Sequence, residues 1–368
     1  MNFKFYSVES KLYDFLKFPR ALFYREGYKE TKEDHNYKEL LIDDYLDLVK
    51  TIEGKIKPYE KEIEVFYMKD FLSEYDFIDL ISRANSIFGY KDEKDYLDML
   101  LTLNDKDINQ SIIYSIMMIS GDCNQYSNEI MDKAEEISLN KDEVVSFIKD
   151  LPIDPASKWN LFLIVEKPIE HMKMYVDLMN RLLPIFHEIY LPFVDEVKEY
   201  GDYLVDFLNI NGPKGLEEMT YSIIDGNIIE GEQINILISV MFSYAISIMT
   251  MTEDKYLAWG LKMEKAFKIM KEINENKTNE RVQIFKNLGD KTRYEALKLI
   301  ASGETSTKVI AQALGVSSAT ISYHINNFLT SKVIKMDKSD NKYGYVVDYG
   351  LLEDAIKGFK EDLRFPST

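Results

Sequence analysis

Leu314-Gly315-Val316-Ser317-Ser318-Ala319-Thr320-Ile321-Ser322-Tyr323-His324-Ile325 is the stretch on which the reading of the C-terminal region turns. A glycine sits between two apolar-periodic segments, and glycine takes up the left-handed backbone of a tight turn at little cost. Before it, Val309, Ile310, Ala313 and Leu314 are expected to face inward on a helix that Glu304-Thr305-Ser306-Thr307 can cap. After it, Ile321, Ile325, Phe328 and Leu329 recur at helical spacing and predict a buried stripe. The opposite face carries Ser318, Ala319, Ser322, Tyr323 and Asn326, which are small or hydrogen-bonding groups without one acid. A solvated helix face usually includes Glu or Asp. A face lacking both, in so acidic a chain, suits approach to base edges and phosphates in a major groove.

Upstream, Val282, Phe285 and Leu288 mark a short helix, and Gly289-Asp290-Lys291-Thr292 restarts the chain with Asp290 placed as an N-cap. Tyr294, Leu297, Leu299 and Ile300 predict the next helix, stopped at Gly303. Downstream, Val333-Ile334-Lys335-Met336 and Tyr343-Gly344-Tyr345-Val346-Val347 bracket a polar run and read as a hairpin with Lys338 and Lys342 at its tip. Leu351, Leu352, Ala355, Ile356 and Phe359 form the stripe of a last helix, read as a seam between subunits in preference to a seam against the rest of the chain. Residues 280–365 thus predict a winged helix-turn-helix of α+β type.

Two of these segments resemble ArsR-type repressors. Phe285-Lys286-Asn287-Leu288-Gly289-Asp290-Lys291-Thr292-Arg293-Tyr294-Glu295-Ala296-Leu297 is similar to the opening of that family, a leucine, a small residue, aspartate, any residue, threonine and arginine before an apolar helix. The run from Leu314 to Ile325 is similar to its recognition segment. The resemblance covers roughly residues 281–360. It implies a dimeric, repressing regulator of transcription that binds double-stranded DNA. Ser317, Ser318, Thr320, Ser322, Tyr323, His324 and Asn326 would then line the DNA-reading helix, with Lys291, Arg293, Lys338 and Lys342 on phosphates. Two departures concern the wing: Lys332 stands where glycine is usual, and Gly344 where a bulkier strand residue is common. The family's cysteine metal site is not carried over, because Glu304–Ala311 contains no Cys and the last helix no His.

Residues 1–273 read as a mainly helical sensor or dimerisation domain with a few strands. Leu41, Tyr45, Leu48, Val49 and Ile52 form one amphipathic stripe, and Tyr175, Leu178, Met179, Leu182 and Leu183 another. Breaks are expected at Pro152–Pro155, Pro184, Pro192 and Asn211–Gly215. Gln233–Thr252 has no charged residue, but its serines and its acidic flanks argue for a buried strand or hairpin over a membrane span. Met263, Ala266, Phe267, Met270 and Ile273 resume a helix, and Asn274–Asn279 reads as a linker.

Charge divides along the same line. The net charge is −18, yet residues 276–368 hold 14 Lys and Arg against 11 Asp and Glu, and residues 1–275 hold 31 against 52. Such asymmetry points to a nucleic-acid module joined to an acidic one. An acidic partner for a protein-binding winged helix is the alternative. The single cysteine, Cys123, excludes an intrachain disulfide and fits a reducing, cytoplasmic setting.

No catalytic pattern emerges. His187-Glu188-Ile189-Tyr190-Leu191 lacks the second histidine that a zinc-protease helix needs, and His35 and His171 stand alone. Phosphate loops, nucleophile elbows and Cys-x-x-Cys are missing from the sequence. The expectation is a non-enzymatic regulator without cofactor or metal, whose N-terminal domain accommodates a small-molecule effector.

Overall fold

The computed structural model describes residues 2–23, 43–67, 71, 75–120, 125–226, 233–274, 277–339 and 342–365. The larger part of the chain wraps helices around a small sheet. Its elements begin with β1 (Phe3–Phe5), α1 (Ser7–Lys17), α2 (Asp43–Ile56), α3 (Glu60–Tyr67), α4 (Phe77–Ser82), α5 (Glu93–Leu100) and α6 (Asp105–Ser120). There follow α7 (Asn128–Ser138), α8 (Lys141–Asp150), α9 (Pro155–Glu166), α10 (Pro168–Tyr190) and α11 (Val194–Met219). The sheet is completed by β2 (Ile234–Ser239), β3 (Ile246–Met249) and β4 (Tyr256–Gly260), and α12 (Met263–Asn274) leads out.

The strand order is β1-β2-β4-β3, with β1, β2 and β4 parallel and β3 antiparallel to β4. The uncharged stretch 233–252 therefore contributes a buried strand, β2, and the start of a hairpin that closes on β4. Ile236, Leu237 and Ile238 of β2 are all fully buried. Both faces of the strand are covered, as expected of parallel sheets, so Asn235 and Ser239 are buried along with them. The chain's first strand was not foreseen: three residues of Phe-Lys-Phe carry too short a pattern, and its partner Ile234–Ile236 lies over 200 positions away.

The expected breaks are met with one exception. Asp154 caps α9, its carboxylate accepting from the amides of Ala156 and Ser157 just beyond the 152–155 interruption. Pro192 falls in a short 3-10 turn between α10 and α11, and Gly212 interrupts α11 with non-helical dihedrals. Pro184, in contrast, lies inside α10. Proline removes one backbone hydrogen bond there, but Met179, Leu182 and Phe186 on either side are fully buried, and their packing keeps the helix running.

The end of β2 is held from α1. Asp14 is fully buried, and its carboxylate accepts from the Ser239 hydroxyl at 2.5 Å and the Val240 amide at 2.7 Å. Ser10, one turn earlier, accepts from the Ile238 amide at 2.9 Å. Nearby, Arg20 bridges Asp76 and Asp79, each at 2.7 Å, in a buried ion cluster. Burial pushes the Asp14 carboxyl up to about 7 from its ordinary 3.8, against the opposing hydrogen bonds from Ser239 and Val240.

The remaining elements are α13 (Lys277–Leu288), α14 (Lys291–Ala301), α15 (Thr307–Leu314), α16 (Ser318–Thr330), β5 (Ile334–Ser339), β6 (Lys342–Val347) and α17 (Tyr349–Asp362). They enclose their own core of Ile284, Ala296, Leu297, Ile300, Ile310, Ile321, Ile325, Phe328, Val333 and Ile334. The stretch expected as a linker is helical at both ends, since α12 stops at Asn274 and α13 starts at Lys277. A second connection joins the two cores. The Met336 amide donates to the Ile223 carbonyl at 3.2 Å, and the Asp225 amide donates to the Met336 carbonyl at 3.0 Å. Leu329 and Met336 also pack against the larger core.

A raised carboxyl in the folded state fixes the sign of one pH effect. The folded protein holds the Asp14 proton to about pH 7, whereas the unfolded chain releases it near its ordinary 3.8. Stability from this group is therefore complete below that ordinary value and declines as pH rises to about 7. Asp14→Asn should cost about 1–3 kcal/mol in urea unfolding near pH 5. The gap to the parent should narrow toward pH 7 and then stay level; a gap that widens with pH would contradict the assignment.

Candidate nucleic-acid interface

The turn that precedes α16 is built as the sequence suggests. Gly315 ends α15 in the left-handed conformation, φ 67° and ψ 32°. Ser306 caps α15, accepting from the Val309 amide, and Asp290 caps α14, accepting from the Arg293 amide at 2.8 Å. Ser317 caps α16 by accepting from the Thr320 amide at 3.0 Å, and its hydroxyl lies 2.8 Å from that of Thr320. Caps of this kind hold the first turn of a helix that presents backbone N–H groups and side chains to a groove.

The two faces of α16 separate cleanly. Ile321, Ile325 and Phe328 are buried, while Ser317, Ala319 and Asn326 are exposed and Ser318, Thr320, Ser322, Tyr323 and Leu329 half-buried. α15 differs from expectation: Ile310 and Ala311 face inward, whereas Val309 and Ala313 are exposed. In a helix this short Ile310 and Leu314, four apart, define the inner face, and Val309 and Ala313 stand to its side. Tyr294 of α14 is likewise half exposed, not core.

Two residues assigned to DNA turn inward instead. His324 is only 7% exposed, and neither ring nitrogen has a hydrogen-bond partner among the described residues. Burial, reinforced by the nearby Arg293 charge, pulls its pKa down and favours neutral imidazole. Position 324 is three after Ile321 and four before Phe328, so it belongs to the apolar stripe. Arg293 has its side chain 15% exposed and donates to Asn287 Oδ1 at 3.1 Å. Asn287 donates in turn to the Asn327 carbonyl at 3.2 Å and the Ser331 hydroxyl at 2.9 Å. Arg293 therefore braces α16 from beneath. The buried Asn327 and Ser331 were missed, although Asn327 directly precedes Phe328 on the same inward face.

Lys291 is exposed on the first turn of α14. Lys338 and Lys342 lie at the outer ends of β5 and β6, where Ser339 pairs with Lys342; residues 340–341 of the expected tip lie outside the described residues. Both wing departures have a local reason. Lys332 occupies the left-handed position, φ 57°, that the usual glycine would fill. A Cβ on Gly344 would come within 2.4 Å of the Thr305 methyl, so the strand lies against the segment before α15 and a side chain there would have to displace Thr305.

Among the described residues no group of three His, Cys, Asp or Glu gathers at metal-binding distance, and no helix is long and apolar enough to cross a membrane. Cys123 and His35 lie outside the described residues.

A capped three-helix unit with an outward helix after a glycine turn, followed by a two-stranded wing, defines a winged helix-turn-helix regulator of transcription. Residues 290–329 match the bacterial regulatory protein family called arsR. The chain is 32% identical over 77 residues to the transcriptional repressor SdpR of Bacillus subtilis (strain 168), a match spanning 20% of this chain and 81% of that repressor. It is 28% identical over 74 residues to the arsenical resistance operon repressor of Staphylococcus aureus, spanning 20% of this chain and 71% of that protein. No solved structure matches. By its C-terminal winged helix the chain belongs to the ArsR family.

A left-handed non-glycine residue costs roughly 1–2 kcal/mol, less the entropy glycine loses on folding. Lys332→Gly should thus raise stability by about 0.5–1 kcal/mol, read as a higher urea midpoint with unchanged slope. A lower midpoint would show that the Lys332 stem contributes more than its backbone costs.

Proposed function

We propose that the protein is a sequence-specific repressor that binds double-stranded DNA as a homodimer in the cytoplasm. In this reading residues 280–365 are the DNA-binding domain, and residues 1–273 sense an effector and assist assembly. The observation that carries it is the outward face of α16, where Ser318, Ala319, Ser322, Tyr323 and Asn326 stand without an acid beside the capped first turn. Ser322 and Tyr323 are the base readers, with Asn326 beside them, and Lys291, Lys338 and Lys342 the phosphate contacts. His324 and Arg293 act beneath them.

Dimerisation is supported by the end of the chain. On α17, Ala355 is buried, while Ile356 and Phe359 are exposed, as are Leu363, Phe365 and Val282 of α13. Phe359 packs between Phe285 and Phe365, its ring tilted against the first at 5.1 Å and edge-on to the second at 5.9 Å. An exposed apolar strip beside α13 suits a two-fold seam, and two-fold dimers gain affinity by reading two half-sites.

Three measurements test the reading. In a gel shift against selected genomic fragments, Tyr323→Ala should lose about 1–3 kcal/mol on the specific site and little on random DNA, whereas Lys291→Ala should weaken both and flatten the salt slope. Equal losses on both DNAs for Tyr323→Ala would remove it from base readout. Ile356→Glu with Phe359→Glu should convert a dimer to a monomer in light scattering and reduce specific binding at least tenfold, because two half-sites can no longer be held together. Zinc, arsenite and cadmium at micromolar concentration should leave operator affinity unchanged; release that depends on Cys123 or a histidine would overturn that expectation.

A further inference from the structure

We propose that the cleft between α11, α12 and the Lys332 turn binds an organic cation with an aromatic or apolar body, and that occupancy weakens DNA binding. The second half of this statement rests on the repressor reading above; the first does not.

The cleft is open to solvent and spans about 610 Å³, room for a drug-sized molecule lying along it. Tyr203 and Phe207 of α11 line it with their rings 6.3 Å apart, and Tyr221 faces it from the segment after that helix. Glu217 and Glu218 contribute from α11, and Glu264 from α12. Rings with carboxylates among them are the combination that holds an organic cation, since the ring face is negative and the carboxylate supplies full charge. The protein already makes one such contact there: the Lys271 ammonium lies 4.8 Å above the centre of the Tyr221 ring. A ligand cation would compete for that platform. An anionic ligand would meet three carboxylates against two ammonium groups.

The cleft touches both sides of the connection between the two cores. Lys332 lines it from the turn between α16 and β5, its amide donating to the Leu329 carbonyl at 3.0 Å. Glu217 accepts from the Gly226 amide at 2.9 Å, one residue beyond the Ile223–Asp225 segment that pairs with Met336. A cation drawn to Glu217 repels the Lys332 ammonium and competes for the carboxylate that anchors Gly226. Each effect loosens the seat of the wing, and a ligand favouring the undocked arrangement shifts the population toward it.

The test uses the full chain and tetraphenylphosphonium, with its anionic isostere tetraphenylborate as control. Calorimetry without DNA should show saturable binding of the phosphonium at micromolar concentrations and none of the borate. Glu218→Gln with Glu264→Gln should weaken binding about tenfold at an unchanged thermal midpoint. Lys271→Met, which vacates the Tyr221 platform, should tighten it about threefold, a gain that misfolding cannot mimic. No saturable binding, equal binding of the borate, or indifference to Lys271→Met would overturn the site. In gel shifts the phosphonium should raise the apparent Kd for the operator at least threefold in the parent and not in the double variant. Binding without this shift would overturn the coupling alone. A chain that binds the phosphonium but no DNA would contradict the repressor reading and leave the site standing.

Discussion

A carboxylate placed in the core dictates how the larger part of the chain is assembled. Asp14 sits one turn beyond Ser10 on α1, and between them they receive the Ile238 and Val240 amides and the Ser239 hydroxyl at the carboxyl end of β2. Backbone groups leaving a fully buried strand cannot reach water and need internal partners. The helix that follows β1 is therefore the one that must lie over β2. Once it does, the order of the parallel strands and the positions of the surrounding helices are constrained by what still needs covering.

The same logic of buried polar groups runs through the DNA-binding part. Asn287, Arg293, Asn327 and Ser331 form a chain of contacts beneath α16, which ties that helix to α13 and α14 by geometry as well as by apolar packing. Directional contacts of this sort restrict sliding and rotation, whereas hydrophobic packing alone tolerates both. A helix that must present its outer face in register with a groove benefits from that restriction. The capped first turn and the left-handed Gly315 fix its other end.

How much of this was legible in the sequence follows from the range of each interaction. Caps and turns are local, so Asp290, the capping run Glu304–Thr307 and Gly315 announced themselves through neighbours within four residues. Apolar stripes located α2, α10, α13 and α16. Strand pairing across 231 positions left no local mark, and β1 went unread. Pro184 misled because local propensity was overruled by the packing of Leu182 and Phe186. The candidate interface was legible as a face but less so residue by residue. His324 and Arg293 look like DNA ligands by type, yet the helical period places the first inward, and Asn287 draws the second in. The cleft beside Lys332 was invisible, because its walls come from helices and a turn far apart in sequence.

The pairing of β1 with β2 also bears on how the chain is made. Phe3 meets Ile234 across the sheet, so its partner does not exist until more than 200 further residues have been synthesised. At about 5–20 residues per second that interval is ~10–50 s, long compared with the microseconds in which helices and hairpins form. Throughout it, the growing chain carries a β1 segment with two phenylalanines and an unpaired strand edge while the helices that follow it are already able to collapse. The folding of the large domain is thus a late closure, in which β1 waits for β2 before finding its place.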